Sequence, residues 1–174
     1  MSKVSLYIPK INDYWYEEKI LSDSSTMSYN SGYNVSYFGY HYDTGCIDFP
    51  KDKWNEKYDK RNNNHKVYFA YLKNNETGDF VGTVGYHFDE KSNRYECSII
   101  IESIYRGLGF AKIGLSLLCD VAKANGIDEL YDSFETNRGN TLNLFKNLGF
   151  EVVESLTWKK FDVDVSGVVV RKRL

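Results

Sequence analysis

A short glycine-containing segment at residues 106–111, Arg-Gly-Leu-Gly-Phe-Ala, could bind a phosphate group. It follows a run at 95–101 that is rich in β-branched residues and predicts a strand, and it precedes apolar residues at helical spacing up to Val121. The first N–H groups of the helix and the positive end of its dipole would therefore point at one spot. Gly107 and Gly109 permit a tight bend and close approach of a ligand to the backbone. The segment predicts a site for a phosphate or pyrophosphate.

The spacing of the glycines limits which phosphate ligand fits. The P-loop pattern GxxxxGK[ST] is absent, and a GxGxxG dinucleotide fingerprint would need glycine where the chain has Lys112. No acidic residue clearly closes a neighbouring strand, where it could bind a ribose. A nucleotide-binding protein that uses the same loop for ATP or NAD is an alternative that the spacing disfavours.

A second segment, at residues 137–150, predicts a short helix followed by a turn. Leu142, Phe145 and Leu148 make one apolar face, and Gly149 is placed to end the helix in the left-handed conformation. Between the two segments, the residues at 129–134 predict a strand. The order is therefore strand, glycine turn, helix, strand, helix.

Together the two segments resemble the motifs of the GNAT superfamily of N-acetyltransferases. The first fits R-x-x-G-x-[GA], the family's pyrophosphate loop for acetyl-CoA, at Arg106, Gly109 and Ala111. The second is similar to N-x-x-[AS]-x-x-L-[YF]-x-x-x-G-F, and the resemblance covers mainly residues 67–174. It implies an acyltransferase that moves an acetyl group from acetyl-CoA directly to an amine of an unidentified acceptor, a small molecule or a peptide, without a metal.

The resemblance also implies where acetyl-CoA lies. Its pyrophosphate would rest on the N–H groups of residues 107–111, and its pantetheine arm would pair with the strand at 99–101. The thioester would arrive where the parallel strands at 95–101 and 129–134 splay apart, and the N–H of Ile99 or Ile100 would stabilise its oxyanion. Either Asn137 or Asn140 would contact the arm, and Asn140 is also placed to cap the second helix. The expected acetyl-CoA-binding residues are Ile99, Ile100, Ile101, Arg106, Gly107, Leu108, Gly109, Phe110, Ala111, Asn137, Asn140 and Phe145.

Direct transfer to an alkyl amine needs a group that removes a proton. Such an amine resembles the lysine side chain, whose ordinary pKa is about 10.4, so it is mostly protonated at neutral pH. Glu96 is the preferred candidate, because acidic residues at this point of the family's fourth strand often serve and a partly dry strand raises a carboxyl pKa. His87 is the second candidate and His41 the third. The alternative is structural: a solvated or ion-paired Glu96, and hydrogen-bonded or exposed imidazoles.

One position departs from the family's pattern. Many members have tyrosine after the leucine of the second motif, and its hydroxyl can protonate the departing CoA thiolate; here that residue is Phe145. A thiolate whose thiol has a pKa of about 8.5 could leave unaided, or Tyr131 or Tyr105 could supply the proton. The missing hydroxyl also favours a competing hypothesis, a CoA-binding sensor or interaction module without catalysis. Cys97 is expected in the core, since no histidine lies beside it in sequence.

Composition excludes several other classes of protein. A chain of 174 residues suits one domain with a full core, and its net charge of −2 gives no electrostatic case for nucleic acid or an anionic membrane surface. No apolar run approaches the span of a bilayer, and the start lacks the apolar core of a signal peptide. Three widely spaced cysteines disfavour a disulfide scaffold or a zinc site and favour a reducing compartment, so a cytoplasmic location is expected.

The elements that must position these residues are predicted from hydrophobic patterning. Runs at 67–72, 80–88 and 95–101 predict a β-meander, followed by helix, strand, helix and closing strands. The expected class is α/β (α+β), a single mixed, mainly antiparallel sheet of about six or seven strands flanked by helices, the GNAT-like fold. Residues 1–174 would form one domain, with acceptor-side helices and loops in 1–66 and the acetyl-CoA-binding core in 67–174. Late strands of this fold often pair between subunits, which makes a homodimer possible, and the sequence leaves the oligomeric state open.

Overall fold

The computed structural model describes residues 2–174, in which seven strands form one sheet with the order β1-β2-β3-β4-β5-β7-β6. The strands are β1 (Val4–Tyr7), β2 (Val67–Asn74), β3 (Phe80–Asp89), β4 (Arg94–Ile101), β5 (Glu129–Glu135), β6 (Glu151–Lys160) and β7 (Val163–Arg173). The helices are α1 (Trp15–Ser22), α2 (Ser24–Met27), α3 (Trp54–Asn62), α4 (Phe110–Ala124) and α5 (Gly139–Asn147). The predicted α/β class and mixed sheet are confirmed.

A single parallel pair interrupts an otherwise antiparallel sheet. The predicted meander is confirmed, because β2, β3 and β4 pair antiparallel, and β5, β7 and β6 follow in the same way. Between them, β4 and β5 run parallel and meet at one pair only, Glu96 and Tyr131. Beyond that pair the two strands diverge. The sheet therefore opens into a fork toward Ile101 on one side and Glu135 on the other.

The main core lies on the face of the sheet that is covered by α4 and α5. Apolar residues recur at helical spacing along the inward side of α4, and two of them, Leu115 and Leu118, are fully buried against the sheet. Phe145 of α5 belongs to the same cluster. Apolar residues on six strands complete it, including Leu72, Val84 and Val170. This packing holds the first residues of α4 and of α5 beside the open end of the fork.

The N-terminal third covers the opposite face of the sheet. Tyr16 and Ile20 of α1 pack on Tyr71 of β2, and a second cluster around Tyr14 includes the buried Trp54 of α3. These are the helices expected within residues 1–66, and α3 follows directly on a 3₁₀ turn, Lys51–Lys53. Among residues 2–174, no helix combines the length and the hydropathy that crossing a bilayer requires.

Candidate active site

The fork between β4 and β5 opens into a cleft of about 1450 Å³, which we call the β4–β5 cleft. Elements from both layers line it: the two diverging strands, the start of α4, one side of α5, and the loop after α2. Most of the expected acetyl-CoA-binding residues are among its walls, namely Ile99, Ile100, Ile101, Arg106, Gly107, Ala111, Asn137, Asn140 and Phe145. Leu108, Gly109 and Phe110 are not wall residues, but they complete the loop at its edge.

The loop before α4 presents backbone N–H groups to solvent. Gly107 and Gly109 have φ of 79° and 84°, a conformation that glycine adopts without strain. Both are exposed, and a Cβ built on either meets no other atom within 4 Å. Within residues 2–174, no acceptor is found for the N–H groups of residues 107–112. Because the buried ring of Phe110 anchors the helix start in the core, these donors are held in place for an anion.

The side chain of Arg106 binds backbone carbonyls of the protein. Its guanidinium donates to the carbonyl oxygens of Ser25 (3.1 Å) and Thr26 (2.7 Å) and, through Nε, to that of Ile101 (3.3 Å). These contacts tie α2 to the end of β4 and fix the loop in space. The sequence pattern pointed to the residue as part of a phosphate loop, and the structure places it at the wall of the cleft with its donors directed at protein carbonyls.

Within residues 2–174, no strand pairs with the edge of β4 that faces β5 beyond the Glu96–Tyr131 pair. In an antiparallel pair, the N–H and C=O of one residue point to the same neighbour, and successive residues alternate. The N–H of Glu102 donates to Val81 of β3 (3.1 Å), so Ile100, two residues earlier, also faces β3. Ile99 therefore directs its N–H into the cleft, and of the two amides expected at the oxyanion it is the better placed.

The expected catalytic side chains lie on the acceptor-side face, outside the walls of the cleft. Glu96 is 29% exposed and accepts a hydrogen bond from Arg94 Nε at 3.1 Å, and His87 lies directly opposite it on β3, exposed. The structure therefore places Glu96 and His87 side by side on adjacent strands. His41 is elsewhere, in the loop that precedes α3, with its Nε2 2.9 Å from Asp48 Oδ1.

An acidic residue that the sequence reasoning missed does line the cleft. Asp132 is half-buried on β5, one residue beyond Tyr131. Loss of hydration raises the pKa of Asp132 to about 7, with a further contribution from the Glu96 charge, although the Ser133 N–H and Arg138 oppose the shift. A signal was present in the sequence, because Asp132 shares a strand face with the buried Leu130 and Phe134.

A buried ion pair between β5 and β6 binds the loop after α2 at the acceptor side of the cleft. Glu135 Oε1 accepts hydrogen bonds from Lys160 Nζ (2.7 Å) and from the Tyr33 hydroxyl (2.5 Å). Burial alone would raise the pKa of Glu135, but Lys160 and Tyr33 hold it below its usual value. Tyr29 lies under the guanidinium of Arg138, 5.2 Å from ring centroid to Cζ. Two tyrosines of the first third of the chain therefore belong to the cleft.

The second motif forms α5 as predicted, with one correction. The helix begins at Gly139 with Arg138 as N-cap residue, so Asn140 lies inside the first turn and the expectation that it caps the helix is wrong. Asn137 and Asn140 both line the cleft. Gly149 has φ of 85°, which confirms the predicted left-handed helix end. Phe145 is 1% exposed between Phe134 and Phe150.

The cysteines lie away from any reactive setting. Cys97 belongs to the main core, as expected, and burial raises the pKa of its thiol well above the usual value. Cys119 is also buried, and Cys46 is half-buried. Among the residues that the structure describes, no three histidine, cysteine or acidic side chains are grouped so that they could hold a metal ion.

Comparisons of the sequence and the structure with known proteins find acetyltransferases. The sequence model of the acetyltransferase (GNAT) family matches residues 32–150. No curated protein matches the sequence significantly. A ribosomal-protein-alanine N-acetyltransferase from Brucella melitensis has a similar structure, with a TM-score of 0.76 and 19% identity over 98% of this chain and 99% of that one. A phosphinothricin acetyltransferase from Sinorhizobium meliloti in complex with AcCoA has a TM-score of 0.77 and 14% identity over 99% of this chain and 89% of that one. A spermidine N-acetyltransferase from Vibrio cholerae in complex with CoA and spermine has a TM-score of 0.76 and 14% identity over 99% of this chain and 96% of that one. At these identities the likeness shows a shared fold.

Proposed function

This chain belongs to the acetyltransferase (GNAT) family and is an acyltransferase, and from that premise we propose that it moves the acetyl group of acetyl-CoA directly to an amine bound in the β4–β5 cleft. One observation carries the proposal: unpaired amides at the start of α4 lie at the edge of the same cleft into which the parallel strands open. A diphosphate on those amides would have its attached arm beside β4.

In this proposal acetyl-CoA extends from the loop at 106–111 toward the closed end of the fork. Its pantetheine arm lies along Ile99–Ile101, whose outer edge has no strand partner, and pairs with that backbone as an added strand would. The carbonyl oxygen of the thioester meets the N–H of Ile99, which would stabilise the oxyanion that forms during attack. Asn137, just before α5, and Asn140, in its first turn, line the cleft beside the same arm.

The amine reaches the thioester from the face that carries α1 and the loop after α2. Glu96 is the proposed base, since its carboxylate lies at the closed end of the fork on that face, with His87 beside it as the second candidate. Tyr29 and Tyr33 give the acceptor side rings and hydroxyls. The spermidine and phosphinothricin enzymes of this fold support a small-molecule amine as acceptor. Residues 1–66 supply this acceptor side and residues 67–174 the cofactor side of one domain.

A second function is favoured by one specific observation. Phe145 occupies the place where many family members carry a tyrosine hydroxyl, and a protein without a proton donor could bind CoA as a sensor without transferring acetyl groups. The two functions share the cofactor and differ in turnover.

Calorimetry with CoA and acetyl-CoA, followed by a thiol-release assay over a panel of amines, separates them. The panel holds polyamines, amino acids, aminoglycosides, lysine peptides and peptides with a free N-terminus. We expect micromolar affinity for acetyl-CoA and thiol release with at least one amine. Binding without release from any amine would support the sensor, and a protein with no affinity for CoA would contradict both functions.

Replacing Gly109 by alanine should weaken the binding of acetyl-CoA by about 10- to 100-fold, because each lost hydrogen bond to a charged group is worth about 1.5–3 kcal/mol. Gly109 has φ of 84°, so a side chain forces the loop out of its present path and turns its amides away from the diphosphate. Isothermal titration calorimetry measures the change.

Gly78→Ala is the matched control for this variant. Gly78 has φ of 80° and, like Gly109, open space around a built Cβ, but it lies in the turn between β2 and β3. Both variants should lose about 1–2 kcal/mol of stability from left-handed strain. Equal affinities for acetyl-CoA in the two variants would remove the loop from the binding site.

A further inference from the structure

The departing CoA sulfur needs a proton that Phe145 has no means to supply. When a thioester is attacked, the carbon–sulfur bond breaks and its electron pair stays on sulfur as a thiolate. The thiol has a pKa of about 8.5, so at neutral pH the thiolate takes up a proton. Phe145 has only a ring at this position, packed between Phe134 and Phe150 with centroids 5.1 and 4.8 Å away.

Asp132 lies at the closed end of the fork, where the proposed function places the thioester. Tyr131 closes the fork, and Asp132 is the next residue of β5, so its side chain stands at the bottom of the cleft. Alternation along the strand puts it on the same face as Leu130 and Phe134, toward α4 and α5. Glu96 belongs to the opposite face. A base on the acceptor side and a second carboxyl on the cofactor side therefore flank the reacting carbon.

We propose that Asp132 is a catalytic residue that donates a proton to the departing CoA sulfur, in place of the hydroxyl that Phe145 lacks. The inference rests on the proposed function. The amine nitrogen forms a bond to the carbonyl carbon, and the carbon–sulfur bond breaks with its electrons going to sulfur. The carboxyl proton of Asp132 passes to sulfur, and the proton lost by nitrogen passes to the base on the acceptor face. Water then returns a proton to Asp132 before the next turnover.

The surroundings of Asp132 keep it protonated for much of the time near neutral pH. The titratable and charged groups nearest Asp132 on its own face are Cys97 on β4, Arg138 before α5 and Tyr29 in the loop after α2, while β7 presents Val170. Glu96 acts on it from the other face of the sheet through its charge. Loss of hydration and the Glu96 charge raise the pKa of Asp132 to about 7 against the opposing effects of the Ser133 N–H and Arg138. Transfer from such an acid to a thiolate whose thiol has a pKa of about 8.5 is downhill.

Asp132→Asn tests the assignment, because it keeps the size of the side chain and removes the acidic proton. We expect kcat to fall by about 10²- to 10⁴-fold, the range for loss of one general acid, with the KM for acetyl-CoA little changed. A general acid works only when protonated, so the wild-type kcat should decline as the pH rises through about 7. That alkaline decline should disappear in Asp132→Asn.

A second variant distinguishes proton donation from a structural role. Adding Phe145→Tyr to Asp132→Asn restores a hydroxyl at the family's usual place and should recover part of kcat, which repair of packing would not do. Asp128→Asn, an exposed residue before β5, is the matched control and should keep the wild-type pH profile. Thermal unfolding checks that each variant is folded.

The results that would overturn the role of Asp132 differ from those that would overturn the proposed function. A wild-type enzyme that turns over without an alkaline decline, or an Asp132→Asn enzyme that keeps both kcat and the decline, overturns the role of Asp132 and leaves acetyl transfer intact. The wild-type profile needs no variant, so it decides the question even where Asp132→Asn does not fold. A wild-type protein that binds CoA but releases no thiol with any amine of the panel overturns the proposed function and, with it, this inference.

Discussion

Arg61→Met is expected to lower the free energy of unfolding by about 3–5 kcal/mol, the usual cost of leaving a buried charge without its partner. The guanidinium holds the carboxylate of Glu17 with two hydrogen bonds of 2.7 and 2.8 Å, and Glu17 is only 4% exposed. The Arg61 side chain also lies over Phe69, with Cζ 3.4 Å from the ring centroid. Methionine keeps much of that packing, so the loss reports on the charge. Urea denaturation at pH 7, followed by circular dichroism, measures it.

Lys57→Met is the matched control, because Lys57 contacts the same carboxylate at 3.0 Å but remains 38% exposed. An ion pair so open to solvent is worth at most about 1 kcal/mol, and its removal leaves the bidentate pair in place. Equal losses in the two variants would mean that the cost comes from lost side-chain packing or from the general charge of α3, and the special position of Arg61 would be refuted.

The same pair makes the difference between wild type and Arg61→Met depend on pH. Burial alone raises the pKa of Glu17, but the hydrogen bonds and charges of Arg61 and Lys57 bring it below the usual value. A carboxyl whose folded pKa is depressed adds stability above its unfolded pKa of about 4.3 and loses that stability as the pH falls through the folded value. The difference in unfolding free energy between wild type and Arg61→Met should therefore narrow between pH 5 and pH 3 in urea melts, by about 1.4 kcal/mol for each unit by which the pKa of Glu17 differs between the folded and unfolded states. A difference that stays constant over this range would contradict the assignment.

Local signals explain how much of the fold the sequence predicts. The meander, α4 and α5 are encoded by residues close together in the chain: β-branched runs, apolar residues at helical spacing, and glycines that end or bend an element. Gly149 adopts the left-handed conformation expected at the helix end, and Gly109 adopts the same conformation within the tight bend expected there. The phosphate loop is such a local feature too. The spacing of its glycines and its place between a strand and a helix are properties of six consecutive residues.

The parts of the site that the sequence left open depend on contacts between distant residues. Arg106 reaches carbonyls 80 and 81 positions away, and Tyr33 meets Glu135 across 102 positions. Asp132 acquires its raised pKa only when the cleft walls remove water from it. In each case the partner follows from how the layers pack, which hydrophobic periodicity does not specify. The family motif directed attention to Phe145 and to what it lacks, while the candidate that could replace the missing hydroxyl lies on a different element.

Phe145→Ala is the second variant with a large expected effect, a loss of about 3–5 kcal/mol in the free energy of unfolding. The ring is 1% exposed and fills the space between Phe134 and Phe150, so its removal leaves a cavity that the surrounding strands and α5 cannot fully close. Because Phe145 also lines the β4–β5 cleft, the cavity opens beside the proposed path of the pantetheine arm. Affinity for acetyl-CoA should fall by about tenfold, equivalent to 1.4 kcal/mol of lost contact.

Leu118→Ala separates the two effects of the Phe145 substitution. Leu118 of α4 is fully buried in the same core but is not a wall of the cleft, so its truncation should cost a similar 2–5 kcal/mol in unfolding free energy while acetyl-CoA affinity stays near the wild-type value. Denaturant melts give the first quantity and calorimetry at 10 °C, where both variants are folded, gives the second. If Leu118→Ala weakens binding as much as Phe145→Ala, the lost affinity reflects a softened core, and α5 does not form a wall of the cofactor site.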